Sequence, residues 1–277
     1  MAIRNFPPPA AGRGKMNGKQ QAIKECSTEM GKSFGLHPGG EDLTREAAKY
    51  AGWKAGDRIL DIGCGDGSSM RLLREELGIK PVGCDRSKAM LDRARELDPT
   101  LQLRETDGMS LDFPSLYFDG ALLECSFSLM NRHDEMLHEL YCVLKPGATF
   151  AMTDLYAINP DMDKADEVFY EAKRILNTPK QENDCKTADS IPSPYLLDGV
   201  FVIDNLLHAI RDTGFEITLF RDRTKQLQDH YAQLLMDYGS LEAYWKAELP
   251  AGCKPFCRAK PGKNTGYFLL VARKESK

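Results

Sequence analysis

Residues 58–67 read RILDIGCGDG, and no other stretch constrains the chain as much. Residues 58–61 have a short apolar strand pattern that closes on an acid, Asp61. Glycine then stands at every second position, Gly63, Gly65 and Gly67, and a helix-forming run over 68–77 follows directly. A strand opening into a glycine-rich turn at a helix N-terminus lets backbone N–H groups come close to a ligand, because no Cβ intervenes. The G-x-G-x-G spacing is tighter than the dinucleotide fingerprint G-x-G-x-x-G, so the loop does not match the usual NAD pattern. Residues 80–85 (KPVGCD) predict a second strand ending on Asp85. An acid about 20 residues after such a loop is where a βαβ unit places a carboxylate under a ribose.

The alternation continues along the chain. Strand patterns stand at 58–61, 80–85, 101–105, 119–125 and 148–154, with helical patterns at 42–53, 68–77, 87–97 and 131–143. A helix at 202–213, a strand at 215–220 and a last strand at 266–273 close the series. This rhythm predicts an α/β fold, a doubly wound seven-stranded and mostly parallel sheet. Two segments interrupt it: 156–199, with a helical stretch at 163–176, and 221–265, with helical stretches at 227–238 and 241–249. In open α/β sheets the ligand sits beyond the C-terminal ends of the strands, and insertions at that edge make lids. The expected organisation is an N-terminal arm and cap over 1–41, then one domain over 42–277 with lid insertions at about 156–199 and 221–265. Within the arm, 1–19 is loose, 19–32 suits a helix, and 33–40 (SFGLHPGG) is a turn.

In these motifs the chain resembles the class I S-adenosylmethionine-dependent methyltransferases, whose first motif is an acid followed by G-x-G-x-G and whose second is an acid closing strand two. The resemblance runs on in order through LQLRETDGM (101–109), FDGALLECS (118–126) and LKPGATFAMTD (144–154). It implies a Rossmann-like fold with the last strand antiparallel between strands five and six, and S-adenosyl-L-methionine as cofactor. It also implies a cofactor-facing set of Asp61, Gly63, Cys64, Gly65, Gly67, Asp85, Arg86, Asp107, Gly108, Met109 and Glu124. In that set Asp85 would hold the ribose, Asp107 the adenine amine, and Met109 would cover a ring face.

Composition narrows the acceptor. With a formal net charge of −4 and no cluster of basic residues, a nucleic acid is not expected as partner. The longest apolar runs, such as 267–272, are far too short to cross a bilayer, and no signal peptide is evident. Eight cysteines in 277 residues do not resemble a secreted disulfide scaffold. The expectation is a cytoplasmic enzyme, monomer or homodimer, that methylates a small molecule and needs no metal. A non-catalytic S-adenosylmethionine-binding module remains the alternative from another class.

The candidates on the acceptor side are His37, Glu124, Cys125, Asp154 and Tyr156. A hydroxyl or amine acceptor needs a proton acceptor nearby, whereas a thiolate needs little base. Glu124, Asp154 and Tyr156 stand at strand ends on the ligand edge, where acids also cap neighbouring helices. His37 is either a base or orienter reaching over the cofactor, or a surface residue of the Pro-Gly-Gly turn. Cys125 is either a small buried hydrophobe or a thiolate facing the methyl group. With Cys185 it resembles the paired thiolates of arsenite methyltransferases, and Cys253 or Cys257 could join them. Those two are four apart without a partner pair or a histidine cluster, which argues against zinc. Cys26, Cys64, Cys84 and Cys142 suit packing. His133 and His138, on the helix after strand four, are expected to be solvated.

Overall fold

The structure, a computed structural model, describes residues 37–106, 110–177, 193–249 and 264–276. Strand β1 (Arg58–Ile62) lies inside the sheet, because Ile59, Leu60 and Ile62 are apolar on both faces and all three are buried. A strand buried on both faces needs helices on each side, the condition that parallel sheets meet. β1 pairs in parallel with β2 (Lys80–Asp85) on one side and β4 (Phe118–Glu124) on the other. β3 (Gln102–Glu105) lies beyond β2 and β5 (Leu144–Ala157) beyond β4, each parallel to its neighbour. The strand order reverses between β1 and β4, so the C-terminal ends of these two border the crevice where such sheets take ligands. β9 (Thr265–Lys274) runs antiparallel between β5 and β8 (Phe215–Asp222).

Period-two alternation divides the core between the two faces. Leu60, Phe118, Phe150, Met152 and Phe268 pack under α4 (His133–Val143) and α6 (Ile203–Asp212). Ile59, Leu122, Ala151, Leu269 and Val271 pack under α1 (Gly40–Ala51) and α2 (Ser68–Leu77), and Leu227 joins this cluster from α7 (Thr224–Tyr238). Each such leucine or phenylalanine contributes about 1.5–3 kcal/mol by leaving water. Helix α3 (Lys88–Leu97) seats Leu91 against Met70 and Cys64. The remaining helices, α5 (Met162–Asn177) and α8 (Leu241–Glu248), belong to the two insertions. No helix among the described residues is long and apolar enough to cross a membrane.

Two elements differ from the sequence pattern. β5 starts at Leu144, which pairs with Phe118, and the ladder resumes only at Thr149 opposite Gly120. The intervening Lys145–Ala148 stretch bulges because Pro146 has no N–H to give the ladder. The insertion after β5 also contains a small hairpin, β6 (Leu196–Leu197) and β7 (Val200–Phe201), which brings the sheet to nine strands. Asp198 and Gly199 both have positive φ, the requirement of a two-residue type I′ turn. Phe201 then pairs with Tyr156, extending the sheet past the end of β4.

His133 corrects an expectation: it is buried, while His138 is exposed as expected. His133 lies under Phe127 and Phe201, edge to face with both rings. Its Nε2 lies 2.9 Å from the Phe127 carbonyl, which can only accept, so that nitrogen carries the proton. Nδ1 then accepts from the Ser193 hydroxyl at 2.9 Å. Burial drives its pKa down to about 4. An unfolded histidine titrates near 6.5, so the unfolded chain binds this proton first as pH falls. Stability is therefore lost between about pH 6.5 and pH 4, by up to about 3 kcal/mol from this group. Urea midpoints should drop between about pH 7.5 and pH 5, and His133→Gln should flatten part of that slope.

Candidate active site

The glycine loop is held in place by backbone hydrogen bonds to the end of β2. Gly63 and Cys64 both donate their N–H to the Cys84 carbonyl, at 2.8 and 3.0 Å. Gly65 donates to Asp85 Oδ2 at 3.0 Å, and Ser87 donates to Oδ1 at 2.8 Å. Gly63 cannot be replaced without strain: its φ is 78°, and an added Cβ would stand 2.4 Å from the Ser126 Cβ. Gly67, in the left-handed conformation, opens α2 without a side chain of its own to cap it, and the Ser68 N–H donates instead to Asp66 Oδ1 at 3.0 Å. Cys64 is buried beside Met70 and Cys84 beside Leu60 and Val82 in the other cluster, and burial pushes both thiols up, so they pack rather than react. Arg86 is exposed just beyond Asp85.

Acidic groups gather at this edge. Asp61 is buried, and its Oδ2 has no hydrogen-bond partner among the described residues. Burial, followed by the charges of Glu124, Asp85 and Asp66, pushes its carboxyl well above the usual range. Glu124 is satisfied from three sides. The Thr44 hydroxyl donates to Oε1 at 2.9 Å, the Ser69 hydroxyl donates to Oε2 at 2.5 Å, and His37 Nε2 lies 3.4 Å from Oε2. His37 is thus buried against Glu124 rather than lying on the surface. Burial also raises the Asp85 carboxyl, opposed by the N–H groups of Ser87 and Gly65.

Next to this cluster is a partly open cavity of about 440 Å³, counting its mouth. Pro38, Cys125, Ser128, Asp154 and Leu155 form the wall on the sheet side, and α7 and α8 supply Leu227, His230, Tyr231, Leu234 and Trp245. Ser126, whose hydroxyl donates to the Ile62 carbonyl at 2.7 Å, ties the cavity wall to the glycine loop. Cys125 has φ 50°, an uncommon conformation for a residue with a Cβ, and its Sγ lies 3.2 Å from the Tyr267 hydroxyl. That hydroxyl donates to Thr153 Oγ1 at 2.9 Å. Asp154 accepts from the Ser128 N–H and its neighbour's N–H, both at 2.8 Å, and burial pushes it up to about 6. Burial lowers His230 to about 4, with His37 acting in the same direction.

The structure therefore brings His37, Glu124, Cys125 and Asp154 to one edge. Tyr156 does not line the cavity: its hydroxyl donates to Asp222 at 2.6 Å and its ring meets Phe220 and Phe268. Asp107, Gly108, Met109, Cys185, Cys253 and Cys257 lie outside the described residues. His230, Tyr231 and Trp245 were not among the sequence candidates. They occupy amphipathic helices, where one wall-facing residue looks like any other core position until the helix is docked. Arg93 of α3 fixes α8 by bonding the Glu248 carbonyl and pairing with its carboxylate at 3.6 Å.

Residues 59–147 match a family described as a methyltransferase domain. A 2-phytyl-1,4-naphtoquinone methyltransferase of Synechococcus elongatus is 40% identical over 134 residues, 45% of this chain and 55% of that protein. A sterol 24-C-methyltransferase of Kluyveromyces lactis is 27% identical over 191 residues, 64% of this chain and 47% of that protein. An O-methyltransferase, resE, of Aspergillus sclerotiorum is 31% identical over 192 residues, 66% of this chain and 63% of that protein. The chain thus spans about half the length of the first of these curated relatives. Among solved structures, the [4+2]-cyclase SpnF superposes with a TM-score of 0.59 at 22% identity, covering 93% of this chain and 94% of its own. A Haemonchus contortus phosphoethanolamine N-methyltransferase 2 with bound S-adenosyl-L-methionine gives 0.59 at 20% identity, covering 92% of this chain and 57% of its own. At such identities the likeness is one of fold.

Removing the Asp61 charge tests how much the acidic edge costs the ligand-free protein. A carboxyl raised in the fold makes the native state bind more protons than the unfolded one, so wild-type stability falls as pH rises above the ordinary carboxylate range. Asp61→Asn lacks this term. Ligand-free thermal melts should show the variant gaining on the wild type as pH rises above the ordinary carboxylate range.

Proposed function

We propose that this chain, which has the class I methyltransferase fold and a methyltransferase domain over residues 59–147, binds S-adenosylmethionine and transfers its methyl group to a small molecule. The observation that carries this reading is the buried, partnerless Asp61 oxygen beside the glycine loop. An uncompensated carboxylate among three other acids is costly, and a cationic ligand with an N–H donor removes the cost. The α-ammonium and sulfonium of S-adenosylmethionine supply that charge, so the residues present fit this cofactor. Asp61 would take the ammonium end, the Gly63–Gly67 turn would pass close along the cofactor, and Asp85 would hold the ribose hydroxyls. When bound, the cofactor supplies a methyl group on a sulfonium, ready for in-line displacement. The protein's part is to orient the acceptor and keep water out.

The acceptor side supports a small molecule. Helices α7 and α8 of the second insertion close over the cavity as a lid. Names among the relatives point the same way, to a naphthoquinone, a sterol and an O-methyl acceptor. We take the enzyme to work in the cytoplasm without a nucleic acid partner. Asp85→Ala removes the ribose contact and should weaken S-adenosylhomocysteine binding about 10- to 100-fold in calorimetry, as loss of a hydrogen bond to a charged group does. Unchanged affinity in that variant, or tighter binding of NAD by the wild type, would overturn the reading. Tight donor binding with no turnover on any acceptor class would favour a non-catalytic sensor.

A further inference from the structure

Two buried groups of opposite character are left unsatisfied at the acidic edge, and we propose that one end of the methyl donor joins them. Tyr244 of α8 donates a hydrogen bond from its hydroxyl to the donor's α-carboxylate, while Asp61 takes the neighbouring α-ammonium. Resting on the methyltransferase reading and deepening it, this adds a residue of the second insertion to the donor site. Tyr244 is 2% exposed, and its hydroxyl oxygen has no hydrogen-bond partner among the described residues. Asp61 Oδ2 is in the same condition. The two groups do not bond each other, although the charge of Asp66 in the glycine loop acts on both. A buried donor and a buried acceptor that stay unjoined fit a ligand that brings an acceptor for the first and a donor for the second. An α-amino acid end carries both, on one carbon.

Tyr244 is moored to the donor half of the molecule. Its ring meets Tyr238 edge to face at 5.1 Å and Trp245 at 4.7 Å. Tyr238 donates to Glu248 at 2.9 Å, Glu248 pairs with Arg93 of α3, and the Ser240 hydroxyl caps the first turn of α8. Burial, followed by the charges of Glu248 and other neighbours including Asp66, raises the phenol and keeps it neutral, able to donate. The glycine loop itself has little to offer a carboxylate. The N–H groups of Gly63, Cys64, Gly65, Gly67 and Ser68 all bond within the protein. Arg71 is tied to the Asp66 carbonyl and Arg93 to that of Glu248. With Asp61, Asp66, Asp85 and Glu124 close together, an incoming carboxylate needs a donor. Tyr244 supplies one that the protein does not use.

Two ligands that differ only in the carboxylate isolate the contact. The full chain and its variants are titrated in a calorimeter with S-adenosylhomocysteine and with its decarboxylated analogue, which keeps the ammonium. The wild type should bind S-adenosylhomocysteine about tenfold more tightly than the analogue. Tyr244→Phe, which removes only the hydroxyl, should weaken S-adenosylhomocysteine by about tenfold and leave the analogue within about twofold, so that the preference disappears. Unchanged analogue binding also reports that the variant is folded. Asp61→Asn should weaken both ligands, because both carry the ammonium. An equal loss for the two ligands in Tyr244→Phe, no loss for S-adenosylhomocysteine, or a wild type without preference would overturn the proposal and leave the methyltransferase reading standing. A wild type that binds neither ligand would overturn that reading, and the role of Tyr244 with it.

Discussion

The clamp between the end of β2 and the glycine loop is the interaction on which the rest of the site depends. One carbonyl, that of Cys84, receives the N–H groups of Gly63 and Cys64, and the carboxylate of Asp85 receives those of Gly65 and Ser87. These bonds consume the loop's own donors and fix its path up to the start of α2, where the Ser68 N–H donates to Asp66. The same carboxylate that would hold a ribose therefore also shapes the loop. The close approach of Gly63 to Ser126 extends the constraint to β4 and, through Ser126–Ser128, to the wall of the acceptor cavity. The glycine loop and the cavity are joined by a few residues packed against one another.

The acidic edge shows stability exchanged for binding. Asp61, Asp66, Asp85 and Glu124 crowd together where water is largely excluded, and each raises the cost of ionising Asp61. Nothing in the packing requires this charge. Two neutral hydroxyls and one histidine accommodate Glu124, but Asp61 is left with an unpaired oxygen. Strain of this kind persists where a ligand relieves it. Cys125, held at positive φ on the rim of the acceptor cavity, is a second local cost at the same edge.

The fold does not decide the chemistry. Its structural neighbours include both a [4+2]-cyclase and a phosphoethanolamine N-methyltransferase at the same TM-score of 0.59. What differs among users of such a sheet is what the insertions place over its C-terminal edge. Here the segment between β8 and β9 contributes half of the cavity wall, and α8 is anchored by Arg93 to α3, a helix of the cofactor half. The mouth of the cavity is therefore tied to the element that flanks the donor site.

Much of the sheet was legible from residues alone, because periodicity and strand-end acids are local signals. The positions of Asp61, Gly63, Gly65, Gly67 and Asp85 and the parallel run of the first five strands follow from chain order and side-chain type, whereas the antiparallel last strand was implied by the family resemblance. The β6–β7 hairpin was not read from the sequence, because the Asp198-Gly199 pair between apolar doublets lies in a polar, Pro-rich stretch that masks this local signal. Other features depended on docking. His133 reads as a surface residue on its helix until Phe127 and Phe201 close over it. Tyr156 and Asp154 share a strand end, yet packing turns the tyrosine toward Phe268 and leaves only the acid at the cavity. His230 and Trp245 become wall residues only because α7 and α8 return over the strand ends. The sequence by itself determined the βαβ frame and the donor loop, since both are set by neighbours a few residues apart. Only the tertiary structure decided the cavity beside that loop, since its walls come from segments about 200 residues apart that are brought together by burial of apolar surface, a force without direction or sequence address.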